Sequence, residues 1–242
     1  MAEPRTAIVT GAGKRVGARI ATALAERGWT VLAHVRRAGD RAPEGTSAVA
    51  ADLTDRDCAA AIFAAADGLP PVRLLVNNAA RFAWDGFGEF SADEFDAHMH
   101  VNVRAPLLLI EELARRHRGG DALVVNMLDS KLSAPNPDFL SYTLSKQALM
   151  GATGLAARAL APKGIRVNAV APALMLKSPG QSEENYRAMH TRNPLGRGIT
   201  PEDVMAAIDY LLAARSVTGE VLTIDGGQKF DPPGRDVQFL EP

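Results

Sequence analysis

Short apolar runs alternate along this chain with longer stretches in which apolar residues recur at helical spacing. The short runs, at residues 6–10, 31–35, 48–51, 74–76, 122–126, 166–170 and 221–224, are rich in Val, Leu, Ile and Ala and predict strands. The longer stretches, at residues 16–27, 56–66, 92–99, 103–116, 140–160 and 202–213, predict amphipathic helices, several with Ser, Thr or Asp nearby as caps. Strands apolar on both faces and separated by helix-length segments make a parallel sheet covered on each side. The fold class predicted is therefore α/β, a doubly wound, seven-stranded parallel sheet with helices on both faces. In such a sheet a ligand sits at the C-terminal ends of the strands.

The chain has 242 residues with 47% hydrophobic content, which suits one domain spanning 1–242. A formal net charge of −1, with basic residues scattered, leaves no footprint for nucleic acid or an anionic membrane. A lone cysteine, Cys58, excludes an intrachain disulfide and fits a reducing cytoplasm. The opening MAEPRTAIVTG lacks the basic and apolar regions of a signal peptide, and no apolar run is long enough to span a bilayer, so a soluble cytoplasmic protein is expected. None of the five histidines has metal-ligand spacing, and no metal site is expected.

Two places carry chemistry. Thr10-Gly11-Ala12-Gly13-Lys14-Arg15-Val16-Gly17 follows the first strand and opens the first helix, where a tight turn and free backbone N–H groups suit a pyrophosphate. Asp52-Leu53 and Asn77-Asn78-Ala79 follow the next strand ends but one and two, so the same edge of the sheet is polar repeatedly. In the second place, Tyr142 and Lys146 stand at i and i+4 on one helix face, and an ammonium there favours the phenolate of its neighbour. Asp129 comes from a separate element, because Pro135-Asn136-Pro137 interrupts any helix before Phe139. Together they make a proton-transfer constellation.

TGAGKRVG, ADL, NNA, Asn102, YxxxK and VTGEVLTIDGG, in this order, resemble the short-chain dehydrogenase/reductase family from about Thr6 to Gly227. The resemblance implies a Rossmann-type fold holding a nicotinamide dinucleotide on Gly11, Gly13, Lys14, Arg15, Val16 and Gly17. It puts Asp52 and Leu53 near adenine, Asn78 and Ala79 along the cofactor, and Tyr142 and Lys146 at nicotinamide and ribose. It also gives Asn102 a proton-relay water, while a hydrogen bond bracing a helix kink is the alternative role. The second strand ends in His34-Val35-Arg36-Arg37 without an acidic residue for a ribose 2′-OH. Arg36 and Arg37 suit a 2′-phosphate, which predicts NADPH/NADP+, with Arg37 favoured because similar reductases carry an arginine there. Two solvated surface arginines are the alternative.

Three departures from the family pattern narrow the substrate. Arg15 stands where the loop commonly has glycine and either clamps phosphate and substrate or faces solvent. Asp129 stands where most members have a serine that polarises a ketone oxygen. An ionised carboxylate has no proton to give and opposes negative charge on oxygen, but paired with Tyr142 it can relay a proton to the nitrogen of a C=N bond. Capping the loop after the fifth strand is its other role. Phe82 offers a face for a flat heterocycle or packs its own loop, and Trp84 is equally open. TGxxxRxG, NNAxxF and Asp-x12-Tyr-x3-Lys together resemble the pteridine reductase branch of the family, which includes dihydromonapterin reductases. This implies NADPH-dependent reduction of a dihydropterin, with Arg15, Phe82, Asp129 and Tyr142 around the substrate. Lys146 would bind ribose and lower the Tyr142 pKa. Ala80 and Arg81 replace serines common in that branch. A short-chain ketone reductase, or a non-catalytic NADP-binding sensor, are the rival functions.

The resemblance also assigns a substrate lid to residues 174–192, with Ser178-Pro179-Gly180 leading into a short helix, and Met175, Leu176, Tyr186 and Met189 as candidate lining. The Pro- and charge-rich tail at 228–242 is expected to pack on a partner subunit or to fray. An apolar face on residues 140–160, with Leu149, Leu155 and Leu160, together with the family habit, predicts a homotetramer.

Overall fold

A computed structural model describes residues 3–178 and 180–241. Among them, β1 (Thr6–Val9), β2 (Thr30–Val35), β3 (Ser47–Ala50), β4 (Val72–Asn77), β5 (Ala122–Met127), β6 (Ile165–Pro172) and β7 (Val221–Ile224) form one seven-stranded parallel sheet. The strand order is β3-β2-β1-β4-β5-β6-β7, so the chain reverses direction across the sheet between β1 and β4. Loops leaving those two strands diverge there and open a crevice.

Both faces are covered. Helices α1 (Arg15–Glu26) and α7 (Pro201–Ala213) bury Ile20, Leu24, Ile208 and Leu211 against one side of the sheet. On the other, α2 (Cys58–Ala64), α4 (Ala105–Arg116) and α5 (Leu140–Leu160) bury Ile62, Phe63, Leu109, Leu113 and Ala157. Central strands β1, β4 and β5 are buried on both faces, which explains their unbroken apolar runs. The edge strand β3 departs from that expectation: most of it is exposed, because only β2 pairs with it.

Element bounds shift by one or two residues at most ends. Strands β4 and β6 are longer than their apolar runs because flanking Val72 and Pro172 still pair with neighbours. Helix α3 (Ala92–Met99) does not end before α4 as the pattern suggests; a π-turn over His100–Arg104 joins them. The described lid segment contains α6 (Glu183–His190), capped by the Ser182 hydroxyl, which accepts from the Asn185 N–H at 3.0 Å. Pro179 lies outside the described residues.

Of the three leucines expected on an outward face of α5, only Leu155 is exposed, at 75%. Leu149 is buried in the protein's own interior and Leu160 packs beside Phe63 and Leu113, a correction to the predicted interface stripe. Among the described residues, no helix is long and apolar enough to cross a membrane.

Candidate active site

At the C-terminal end of β1, Thr10 ties two strand ends together. Its hydroxyl accepts from the backbone N–H groups of Asn78 and Ala79 at 2.9 and 3.0 Å, and Asn78 Nδ2 donates to its carbonyl at 2.8 Å. Gly11 then turns with φ +65°, and its N–H donates to His34 Nδ1 at 3.1 Å. An acceptor at Nδ1 places the ring proton on Nε2, which donates to the Ala51 carbonyl at 2.9 Å. Burial lowers the His34 pKa and keeps this ring neutral. His34 thus braces the glycine loop from β2, a role its sequence position did not announce.

The loop fits a dinucleotide. A Cβ on Gly17 would lie 2.3 Å from the Gly11 carbonyl oxygen and 2.4 Å from Asn78 Nδ2, so only glycine lets helix, loop and strand end approach this closely. Gly13 lies where a Cβ would meet the Arg41 carbonyl at 2.9 Å. The first N–H groups of α1, at Arg15, Val16 and Gly17, have no acceptors within the helix and suit an anion. Lys14 is exposed beside them. Asp52 accepts from the Thr54 N–H and hydroxyl, contacts that together with Arg36 hold its pKa low, and Leu53 is buried.

The two arginines after β2 part company. Arg36 Nε donates to Asp52 Oδ2 at 3.2 Å, whereas the Arg37 side chain is exposed and it is the backbone of Arg37 that bonds Asp40. Arg15 has a left-handed backbone, φ +55°, a conformation that favours the glycine it replaces. Its guanidinium donates to the carbonyls of Leu176 and Lys177 at 3.2 and 3.0 Å. Arg15 thus does not simply face solvent; it latches the glycine loop to the lid.

Tyr142 lies in the first turn of α5 and donates to Asp129 Oδ2 at 2.9 Å. The other oxygen, Oδ1, accepts from the Lys131 N–H at 2.9 Å, so Asp129 both caps the turn at Ser130–Ser133 and holds the phenol. Lys146 Nζ donates to the Met127 carbonyl at 2.6 Å and is 5.7 Å from the Tyr142 ring centre. Burial pulls the Lys146 pKa down to about 8. The expected phenolate is overturned: burial first, and then the Asp129 charge and hydrogen bond, push Tyr142 well above the usual phenol value. A carboxylate in contact outweighs an ammonium whose hydrogen is aimed at a carbonyl.

Asn102 sits in the π-turn, buried. Its Oδ1 accepts from the Arg81 N–H at 2.8 Å, and Nδ2 donates to the Arg81 carbonyl and to Ser145 Oγ at 3.0 and 2.9 Å. Set in the π-turn, the side chain braces the strand-end loop against α5. Phe82 on that loop stacks on Phe139 with ring centres 4.3 Å apart and meets Tyr142 edge-on at 4.8 Å. Trp84 is exposed and stands apart from the cavity. Phe139, with φ +55°, precedes α5, and the carboxylate of Asp85 caps that helix through the Ser141 N–H at 2.8 Å and the Ser141 hydroxyl.

A cavity of about 490 Å³ joins these groups, lined by Lys14, Arg15, Val16, Phe82, Asp129 and Tyr142. Met175 and Leu176 line it from the lid, while Tyr186 stays behind, donating to the Met175 carbonyl at 2.9 Å, and Met189 is buried in support. The tail forms another wall, through Pro232, Pro233, Asp236, Val237 and Gln238. Its described residues thus pack on the same chain, which corrects the expectation that the tail frays. Arg235 makes a two-pronged ion pair with buried Asp138 at 2.8 and 2.9 Å, and the Asp236 N–H donates to the same carboxylate at 2.8 Å. Only the charges of PPGRD hinted at it.

The family described as Enoyl-(Acyl carrier protein) reductase matches residues 11–229, from the glycine loop through the last strand. The chain belongs to the short-chain dehydrogenase/reductase family. This family member is an oxidoreductase. It is 36% identical to L-xylulose reductase of Bos taurus over 236 residues, covering 92% of this chain and 96% of that one. It is 33% identical to pteridine reductase 1 of Leishmania tarentolae, covering 91% and 95%. Among solved structures, FolM alternative dihydrofolate reductase 1 from Brucella suis, in complex with NADP, superposes with TM-score 0.86 at 35% identity over 93% of this chain and 95% of that chain.

Proposed function

We propose that this short-chain dehydrogenase/reductase family member is an NADPH-dependent reductase of a dihydropterin, forming the tetrahydro product at a C=N unit. The observation that carries this is the 2.9 Å hydrogen bond from Tyr142 to Asp129 beside Phe82 in the cavity. The likeness to pteridine reductase 1 and to a FolM structure holding NADP supports it. NADPH, when bound, supplies the hydride.

This chain's residues handle the proton. Reduction of C=N leaves an electron pair on nitrogen that must take up a proton. If Tyr142 gave its proton and stayed ionised, a phenolate would sit against a carboxylate in a dry site, which its raised pKa opposes. The pair therefore works as a relay: Tyr142 passes its proton to the nitrogen, and a proton taken up from solvent returns to its oxygen by way of the Asp129 carboxylate. Lys146 orients ribose, Phe82 bounds the slot for the ring, and Asn102 holds the Phe82 loop in place. Arg37 binds the 2′-phosphate.

A second reading, a short-chain ketone reductase, is favoured by the 36% identity to L-xylulose reductase. NADPH oxidation by the purified protein, offered dihydropterins in parallel with ketoses and simple ketones, separates the two. Turnover of dihydropterins is expected. Turnover of ketones with no pterin-dependent oxidation would transfer the assignment to the second reading. The protein is further proposed to act as a cytoplasmic homotetramer, with exposed Leu155 on α5 in the interface; a monomeric mass by light scattering would refute the assembly.

A further inference from the structure

We propose that Asp236, on the C-terminal tail, is a substrate-recognition residue whose carboxylate accepts hydrogen bonds from an exocyclic amino group on the heterocycle being reduced. The inference rests on the pterin reading and deepens it. Asp236 lines the same cavity as Asp129 and Tyr142 but enters from a different wall. Its backbone is fixed, because its N–H and the guanidinium of its neighbour Arg235 both grip Asp138, one residue before Phe139. Phe239 stacks over Phe139 with ring centres 5.9 Å apart, and Asn185 of the lid donates to the carbonyls of Val237 and Leu240 at 3.2 and 2.6 Å. The tail is thus tied at once to the loop before the catalytic helix and to the lid.

The carboxylate itself is only partly satisfied. Oδ1 accepts from the Gln238 N–H at 3.1 Å, and Oδ2 stands 3.4 Å from Lys131 Nζ, whose shorter contact, 2.5 Å, goes to the Asp138 carbonyl. Its side chain is 13% exposed, and the neighbouring Asp129 adds to the negative charge. Asp129 and Asp236 both line the cavity, Asp129 held by the Tyr142 hydroxyl and the Lys131 N–H and Asp236 beside Lys131 Nζ, and carboxylate oxygens of this kind suit N–H donors on a ligand. Of the other cations on the lining, Lys14 and Arg15 stand at the glycine loop and Lys229 in the Gln228–Phe230 turn.

Equilibrium binding to the full-length protein loaded with NADP+, followed by KM measurement, tests this with two probes: a 2-amino-dihydropterin and its analogue with oxygen in place of the amino group. Wild-type protein should prefer the amino compound. Asp236→Ala should shrink that preference about tenfold, the factor for losing one hydrogen bond to a charged acceptor. Asp236→Asn, which keeps the shape and the Gln238 contact, should shrink it in the same direction, and Arg235→Ala should weaken both probes by loosening the wall. An unchanged preference in both Asp236 variants, or wild-type protein that binds the probes equally or not at all, would overturn the proposal. Asp236-dependent preference without NADPH oxidation would support it while removing the pterin-reduction reading.

Discussion

Tyr142 donates to Asp129 across 2.9 Å, from α5 to the loop after β5. That bond reverses the charge logic of the Tyr–Lys pair. With a carboxylate as its partner the phenol keeps its proton, and the group that can change charge near neutrality is Lys146.

Replacing Asp129 with serine separates the two chemistries. Asp129→Ser should lower kcat for dihydropterin reduction by about 10²–10⁴, the range for losing a proton-transfer group, while restoring a hydroxyl donor for ketones. Steady-state rates with both substrate types check it; equal losses on both would argue that Asp129 serves only to cap its turn.

Lys146 gives a pH signature. Its pKa is about 8 in the fold against a usual value near 10.5. Between these values the unfolded chain holds the proton that the folded chain has released, so stability rises with pH from 8 toward 10. The contribution is present above the unfolded value and lost as pH falls through 8. Urea denaturation of the cofactor-free protein should show a gain of ~2 kcal/mol over this window that is missing in Lys146→Met. Above pH 10 Tyr142 pulls the other way, because its folded form keeps a proton that the unfolded chain gives up.

Gly17→Ala introduces a Cβ at 2.3 Å from the Gly11 oxygen, against backbone that has no rotamer to move. Destabilisation of about 1–3 kcal/mol is expected, with loss of NADPH binding as the loop shifts. A thermal melt and a fluorescence titration measure both effects; intact binding would show that the loop tolerates the displacement.

The arginines after β2 should contribute unequally. Arg37→Ala is expected to raise KM for NADPH by about tenfold or more and leave NADH little changed. Arg36→Ala should do less, since Arg36 is paired with Asp52 at 3.2 Å. Equal effects would place the 2′-phosphate between the two.

Much of the site was legible because its parts are local. The glycine loop, the Asn77-Asn78-Ala79 strand end and the i, i+4 pairing of Tyr142 with Lys146 each declare themselves within a few residues, through turn chemistry or helix periodicity. Asp129 was visible as a departure, and its two oxygens divide between the turn it caps and the Tyr142 hydroxyl. The braces were hidden. His34 under the glycine loop and Asp85 under the catalytic helix act on partners 23 and 56 residues away, and nothing in their own neighbourhood marks them.

By itself the sequence determined the parallel sheet, the order of its strands' helices and the location of the reactive edge, because hydrophobic periodicity and backbone sterics act over short spans. Tertiary structure alone decided the charge state of the reactive phenol and the shape of the cavity. The first depends on a carboxylate delivered by another element, and on burial, which no local pattern reports. The second depends on Arg235 reaching Asp138 across 97 residues, a pairing that exists only once the sheet has brought the tail back to the loop before α5.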